Sequence, residues 1–573
     1  MTLQRGISMR RFSSQVVALA AIGAAGGCTL VVTNPNSPDA QRAFVDPDGL
    51  AQLLSGAFRN WVSTRGDYYS SMPLTAMADN YTASWNNAAI RFYSSVGSDC
   101  PSRCGWSNSA TAPEAAGGPT VEAQWYGYYT VLSAASDVLR AIEEGVCFDP
   151  DCATDNTQTS RNQAIGKMLQ GMALAGIALI YDQGFLVDET TDLSDPLSIP
   201  FNGREELRDA AIQKLEDAFT EAGLHAWTTE NDWAGVGAGR AYTNTQIRQL
   251  IRTMQAELLA MYPRNAAENV QVNWGQVASY ASQGVSSGTP FDYEYYIDVT
   301  GRECGLDCVK TWGNSIGTMR VDTRVAAMIT TNHVNPWPEA QGGNPCPTIP
   351  RDGDRRVGDG SYGPEDDFNG YATLAVTANA GSDYACSEVP IFPAARGQYH
   401  QSNLQHIRYQ RLAYRGENLP GFDATGQDPF YTREMNDLLW AEGLIRSNGS
   451  MATAAQKINN SRNGRGGLAN LSGAANQATA LAALQYEQDL EFMGQGVTTF
   501  FNRRRIDALV TGTPRHMPVP AKEMDVLLRE IYTFGGPNEP DMAPGVEGRG
   551  RVRSVGEVWK EFQARRPSRF GIR

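Results

Sequence analysis

Apolar residues recur at helical spacing along much of this chain. Between Leu50 and Trp61 they fall at positions 50, 53, 54, 57, 58 and 61, one face of a 3.6-residue period. Val121 to Ile142 repeats the pattern through Trp125, Tyr128, Tyr129, Leu132, Val138 and Leu139. Ile165 to Tyr181 is apolar on nearly every side, which predicts a buried central helix. Arg204–Ala222 and Thr245–Tyr262 read as two more amphipathic helices, the second with Thr243 or Asn244 as its N-cap. The pattern then fades. Residues 285–430 are dominated by Gly, Pro, Asp and aromatics, keep helical spacing only near Thr323–Thr330, and predict loops and short strands. Helix returns over Tyr431–Arg446, Ser450–Arg462 and Ala475–Met493, the second stopped by Asn463-Gly464-Arg465-Gly466-Gly467. Helix pairs joined by short turns predict a mainly α, helical-repeat core without a fixed repeat length.

The N-terminus departs from this scheme. Arg5, Arg10 and Arg11 precede a short apolar run, Val16–Ile22, and small residues lead into Ala25-Gly26-Gly27-Cys28. This is the pattern of a bacterial lipoprotein export signal, with Cys28 as the lipid acceptor. Ala25 stands where Leu is commoner. The run is too short to span a bilayer, and no later run of spanning length is expected, so lipid is the expected anchor. Asn34-Pro35-Asn36-Ser37-Pro38 excludes regular helix or central strand. The expected organisation is a signal peptide at 1–27, a lipidated tether at 28–45, an N-terminal helical region at 46–284, a loop-rich insertion at 285–430 and a C-terminal helical region at 431–573.

Composition agrees with export. Of nine cysteines, eight remain beside Cys28: the close pairs Cys100/Cys104, Cys147/Cys152 and Cys304/Cys308, with Cys346 and Cys386. In an oxidising compartment these predict disulfides, although connectivity stays open. The spacings do not suit zinc, and no His-x-x-x-His accompanies them. Net charge is −14 and becomes −17 once the three signal arginines are removed, which argues against nucleic acid or anionic lipid as a partner.

Catalytic motifs are weak. Gly313-Asn314-Ser315-Ile316-Gly317 matches GxSxG, but a nucleophile elbow needs a strand before it and a helix after it. Val309–Trp312 could supply a strand, while nothing convincing follows Gly317. Gly235, Gly237 and Gly239 open no helix and read as loop. Asp352, Asp354 and Asp359 fail the calcium-loop pattern, with Arg356 and Val357 at ligand positions. No metal or cofactor is expected.

Several blocks, in order, resemble the SusD/RagB family of outer-membrane nutrient-binding lipoproteins. Trp125–Glu143 resembles its early aromatic helix, and Ile199-Pro200 with Glu205–Ala218 its proline segment and following helix. Arg248–Tyr262 with Trp274 and Asp354-Arg355-Arg356 resemble later blocks. Arg433–Arg446 resembles the Leu-x-x-Ala-Glu helix, followed by Ile458–Arg462. Tyr486–Phe492 with Arg503, and Met517-Pro518-Val519-Pro520 with Glu523, resemble the last blocks. Gln488 stands where arginine is usual, and Gly494-Gln495-Gly496 replaces Glu-Gly-x-Arg. The resemblance implies a tetratricopeptide-like scaffold of helical pairs with a loop-rich face and no catalysis. It also implies a lid partnered with a TonB-dependent, SusC-like barrel transporter, and capture of glycans or peptides outside the outer membrane.

Sugar recognition uses aromatic faces, with amides and acids for the hydroxyls. Aromatics on irregular segments are therefore the candidates: Tyr81, Trp85 with Asn86, Trp106, Tyr295, Tyr296, Trp312 and Trp337. Other expectations to weigh are a peptide receptor of the same type, a secreted serine hydrolase using Ser315, and an envelope interaction module without a small ligand.

Overall fold

The structure is a computed structural model. It describes residues 45–82, 90, 93, 108–109, 118–230, 233, 240–299, 306–314, 319–335, 348–357, 381–386, 402–409 and 424–534. The sequence-predicted periodic segments are helices: α1 (Pro47–Arg65), α3 (Gly118–Glu143), α4 (Thr157–Ile180), α5 (Arg204–Glu221) and α6 (Asn244–Met261). After the insertion come α11 (Arg433–Arg446), α12 (Met451–Arg462) and α13 (Gln477–Glu491). Shorter helices fill the gaps: α2 (Ser71–Met77), α7 (Ala266–Val270), α8 (Trp274–Ala281), α9 (Cys308–Gly313), α10 (Thr323–Ile329), α14 (Thr498–Arg504) and α15 (Ala521–Val526). The strands form antiparallel two-stranded ribbons. These pair β1 (Tyr81–Thr82) with β5 (Arg320–Val321), β2 (Gln183–Phe185) with β3 (Phe201–Gly203), β4 (Tyr293–Val299) with β8 (Ala424–Tyr431), and β6 (Tyr384–Cys386) with β7 (Leu404–His406).

Successive helices pack on one another: α1 on α3, α3 on α4, α4 on α5, α5 on α6, then α6 on α8, α8 on α11, and α11 on α12 and α13. The molecule is thus mainly α, a tetratricopeptide-like row of helical pairs. At its centre α4 is buried on nearly all sides, through Ile165, Met168, Leu169, Met172, Leu174 and Ile177 among others. It does meet the length and apolarity of a membrane span, contrary to the expectation that no such run follows the signal, but 83% of that window is buried inside the protein. Burial against α3 and α5 accounts for its apolarity.

Helix ends are satisfied locally or by tertiary partners. Thr243 caps α6 in a reciprocal capping box with Gln246. Asn156, before α4, makes no side-chain cap. Asp149 reaches over instead and accepts from the Gln158 and Thr159 N–H groups at 2.8 and 3.0 Å. It sits in the small loop closed by the Cys147–Cys152 disulfide. At the other end Arg264 donates to the Tyr181 carbonyl at 2.5 Å, and Arg504 bridges Leu179 and Met261 at 2.7 and 3.0 Å. Two buried arginines therefore quench the orphan carbonyls where α4 and α6 end together.

Cys308 is also disulfide-bonded. Cys28, Cys100, Cys104, Cys304 and Cys346, and the side chain of Cys386, lie outside the described residues.

Candidate functional site

A second, smaller core sits beside the main one. It gathers Met72 and Ala76 of α2, Tyr81 of β1, Val309 and Trp312 of α9, Val321 of β5, Val325 and Ile329 of α10, and Leu404 of β7. Several segments outside the described residues adjoin this lobe along the chain. Residues 83–89 leave β1, 300–305 enter α9, 315–318 join α9 to β5, and 336–347 follow α10. Trp85, Asn86, Ser315 and Trp337 lie on these segments, and they and Trp106 are outside the described residues.

The lobe is fixed by buried charge. The Lys310 ammonium, in α9, lies 2.5 Å from Asp428 and 3.2 Å from Asp307, donates to the Pro429 carbonyl at 2.8 Å, and faces the Phe430 ring at 4.4 Å. Burial pulls Lys310 toward the neutral amine, but Asp428 and Asp307 outweigh it and its pKa is raised. This bolts α9 to β8. Arg324 of α10 pairs with Asp489 of α13 at 3.2 Å.

A larger network ties the insertion to the C-terminal helices. Arg356 is fully buried and grips Asp354 at 2.8 Å and Glu487 at 2.6 Å. Arg408 and Arg465 close on Glu491 at 2.6 and 2.7 Å, and the Ser461 hydroxyl lies between Glu487 and Glu491, 2.8 and 2.6 Å from their oxygens. Arg465 also reaches Asp383 at 2.5 Å. Burial pushes the Glu491 carboxyl up, yet Arg408, Arg465 and Arg356 hold it well below the usual range. Removing one member of such a network would strand a buried charge, so it fixes Asp354, Arg356, Asp383 and Arg408 against α12 and α13. Asp354, proposed and rejected as a calcium ligand, is here the partner of Arg356 and Tyr486.

An aromatic knot joins β1, β6 and β7. The Tyr81 hydroxyl meets His406 Nδ1 at 2.6 Å, and Tyr384 and Tyr409 pack around the imidazole. Burial pushes His406 down to about 3, so the ring is neutral at ordinary pH.

These contacts correct three sequence candidates. Tyr81, Tyr295 and Trp312 are 0, 2 and 2% exposed. Tyr81 is held by His406, Tyr295 packs 5.5 Å from Phe58, and Trp312 stands edge-on to Tyr68 at 4.8 Å. Their rings are spent on packing and leave no face for a ligand. Tyr296, next along β4, is half-buried and remains a candidate. The structure also corrects the strand expected at Val309–Trp312. It is α9, opened by Asp307, whose carboxylate accepts from Lys310 N–H. The segment before Ser315 is therefore helix, and the strand a nucleophile elbow requires is missing. Among the described residues no cluster of His, Cys, Asp or Glu is arranged to hold a metal.

Sequence reasoning passed over one residue that the structure exposes. Tyr126, on α3, is the one exposed aromatic side chain among the described residues. It escaped because candidates were sought only on irregular segments. The signal available was its i, i+4 spacing from Glu122, on a face otherwise polar.

No family model and no curated protein matches the chain. Solved structures do. A SusD homolog from Bacteroides thetaiotaomicron VPI-5482 superposes with a TM-score of 0.57 at 14% identity, over 86% of this chain and 97% of that one. This chain has the SusD fold. A SusD superfamily protein from Parabacteroides distasonis ATCC 8503 gives 0.54 at 11% identity over 83% and 96% of the two chains. One from Bacteroides vulgatus ATCC 8482 gives 0.53 at 12% over 84% and 97%. The SusD fold spans nearly the whole of these proteins, so the shared feature is the complete scaffold and not one helical pair.

Proposed function

We propose that this protein is a non-catalytic, cell-surface receptor that captures a nutrient glycan and passes it to a partner TonB-dependent barrel transporter. The observation that carries this reading is the scaffold itself, a SusD fold that superposes over 97% of a SusD homolog. Lipid on Cys28 would anchor it to the outer membrane and keep captured ligand concentrated beside the pore. The acidic surface suits a neutral ligand better than a polyanion.

Three measurements test the parts separately. Metabolic labelling with a palmitate analogue should mark the wild-type chain and fail with Cys28→Ser. Protease added to intact cells should reach the protein if it faces outward. Pull-down from detergent-solubilised outer membranes should recover a large barrel protein. An unlabelled chain found in the cytoplasm would sink the receptor reading.

A further inference from the structure

We propose that the face formed by the end of α15 and the β2–β3 ribbon is the docking site for this chain's own basic C-terminal segment, residues 549–573. The two halves of the face meet at an aromatic joint. The Arg529 guanidinium lies 4.6 Å from the Phe201 ring centroid, and Phe201 stacks on Phe185 at 4.5 Å. Apolar side chains leave this joint exposed. Val526 and Leu528, just before Arg529, are 66 and 44% exposed, and Leu186, just after Phe185, is 38% exposed. Leu193 and Leu197, in the connection from β2 to β3, are 53 and 63% exposed. Leu528 is the most telling of these. Its N–H donates to the Asp525 carbonyl and the Arg529 N–H to the Met524 carbonyl, the paired bonds of a Schellman turn that ends α15. Glycine is usual at that position because φ is positive there, and Leu528 has φ 54°. The backbone accepts this strain with an apolar side chain turned to solvent, which points to an occupant that covers it.

The face is acidic as well as apolar. Residues 186–200, which connect β2 to β3, contain Asp188, Glu189, Asp192 and Asp195 and no Lys or Arg. Lys214 pairs with Asp188 at 3.0 Å and with Glu189 at 3.4 Å, while Asp192 and Asp195 stand exposed beside Leu193 and Leu197. Residues 549–573 are the chemical counterpart. They carry eight Lys and Arg against two Glu, in a chain whose net charge is −14. Val552, Val555, Trp559 and Phe562 fall three or four residues apart among those charges. Position favours the same pairing. The Tyr532 hydroxyl donates to the Asp182 carboxylate at 2.9 Å and accepts from the Gln183 amide at 3.0 Å, and Phe534 packs 5.5 Å from Tyr532. The chain is thus carried along β2 before residues 535–573 begin. Residues 535–548 can span up to about 45 Å, so the basic segment is tethered within reach of the face at high effective concentration. Opposite charge then sets its register, and the exposed leucines give its apolar residues a surface to bury against.

The test is hydrogen exchange on the purified full-length protein at low salt, with the amides of α12 as the control for folding. In Arg565→Glu with Arg566→Glu, residues 186–199 should exchange about tenfold faster than in the wild type, and α12 should not change. About 0.5 M NaCl should loosen the same residues in the wild type. Asp192→Lys with Asp195→Lys should act likewise, and joining the two charge reversals in one chain should restore the protection. Leu528→Gly removes an apolar contact while relieving the backbone, so a purely structural Leu528 predicts no change at residues 186–199, whereas docking predicts faster exchange there. Exchange of residues 186–199 that none of these substitutions alters would overturn the proposal, and so would failure of the joined reversals to restore protection. Protection that rises with protein concentration, with a dimer in sedimentation, would assign the face to a second copy instead and overturn it too. None of these outcomes bears on the glycan-receptor reading, which stands or falls separately.

Discussion

Glu442 offers the sharpest test of how the C-terminal helices are held together. It lies on α11 and is 1% exposed. Arg505 grips both of its oxygens at 2.7 and 2.6 Å, Arg446 donates at 2.7 Å, and the Gln488 amide donates at 2.8 Å. Burial raises its carboxyl, but Arg505 and Arg446 outweigh this and bring it from 4.5 to about 2. A depression of that size corresponds to about 3 kcal/mol of stability at neutral pH. Because the folded value is the lower one, this stability is complete above about pH 4.5 and is lost as pH falls toward 2. Glu442→Gln keeps the shape and removes the charge, leaving Arg505 buried without a counter-ion, a loss of about 3–5 kcal/mol. Hydrogen exchange is the suitable assay, since global melting of so long a chain dilutes a local effect. The amides of α11, α13 and α14 should exchange at least about a hundredfold faster in Glu442→Gln at pH 7. The difference between variant and wild type in acid-titrated stability should narrow below about pH 4.5. A variant that exchanges like the wild type, or a difference that does not change with pH, would refute the reasoning.

Other predictions follow from single contacts. Asp149→Ala removes the tertiary cap of α4 and should cost about 1 kcal/mol, and Cys147→Ser with Cys152→Ser should make that loss smaller by loosening the cap beforehand. Denaturant midpoints of the single and combined variants decide this. Gly443→Ala would place a methyl 2.6 Å from the Ala278 backbone nitrogen, forcing α11 off α8. A drop of about 1–3 kcal/mol is expected, and a neutral result would mean the helices can separate freely. Trp312→Ala should cost about 3–5 kcal/mol as a core deletion, whereas Tyr81→Phe should cost about 1 kcal/mol and leave ligand affinity untouched. Loss of affinity in a well-folded Tyr81→Phe protein would restore Tyr81 as a ligand contact.

The long amphipathic helices were legible in the sequence because a 3.6-residue stripe needs only local information. The N-cap of α6 was legible to within one residue, as Thr243 or Asn244, and the capping box that selects Thr243 is closed within four residues. The first two turns of α4 were not. Thr157–Ala164 is polar, and its start depends on Asp149 arriving from another segment. The helix α9 was misread because Val309 and Thr311 favour strands, while the asset that decides, Lys310 neutralised between Asp307 and Asp428, joins residues more than a hundred positions apart. The order of blocks containing Asp354-Arg355-Arg356, Glu442 and Tyr486–Phe492 pointed to the fold correctly, and these blocks supply the buried ion pairs. Even the departure at Gln488 has a local account, since its amide serves Glu442 and Arg505 together where a second cation would crowd Arg505. The candidate site was less legible. Sequence shows that an aromatic lies on an irregular segment but not which way its ring turns. Tyr81, Tyr295 and Trp312 turned inward, and Tyr126, on a regular helix, turned out.

The account's central claim is capture of a glycan without catalysis. A thermal-shift screen of the full-length protein against glycan and peptide panels tests it most directly, because any native-state ligand stabilises by RT ln(1 + [L]/Kd). The account predicts an upward shift with at least one neutral glycan, with the saccharide recovered uncleaved afterwards. A shift with peptides alone, or recovery of a shortened saccharide, would contradict it.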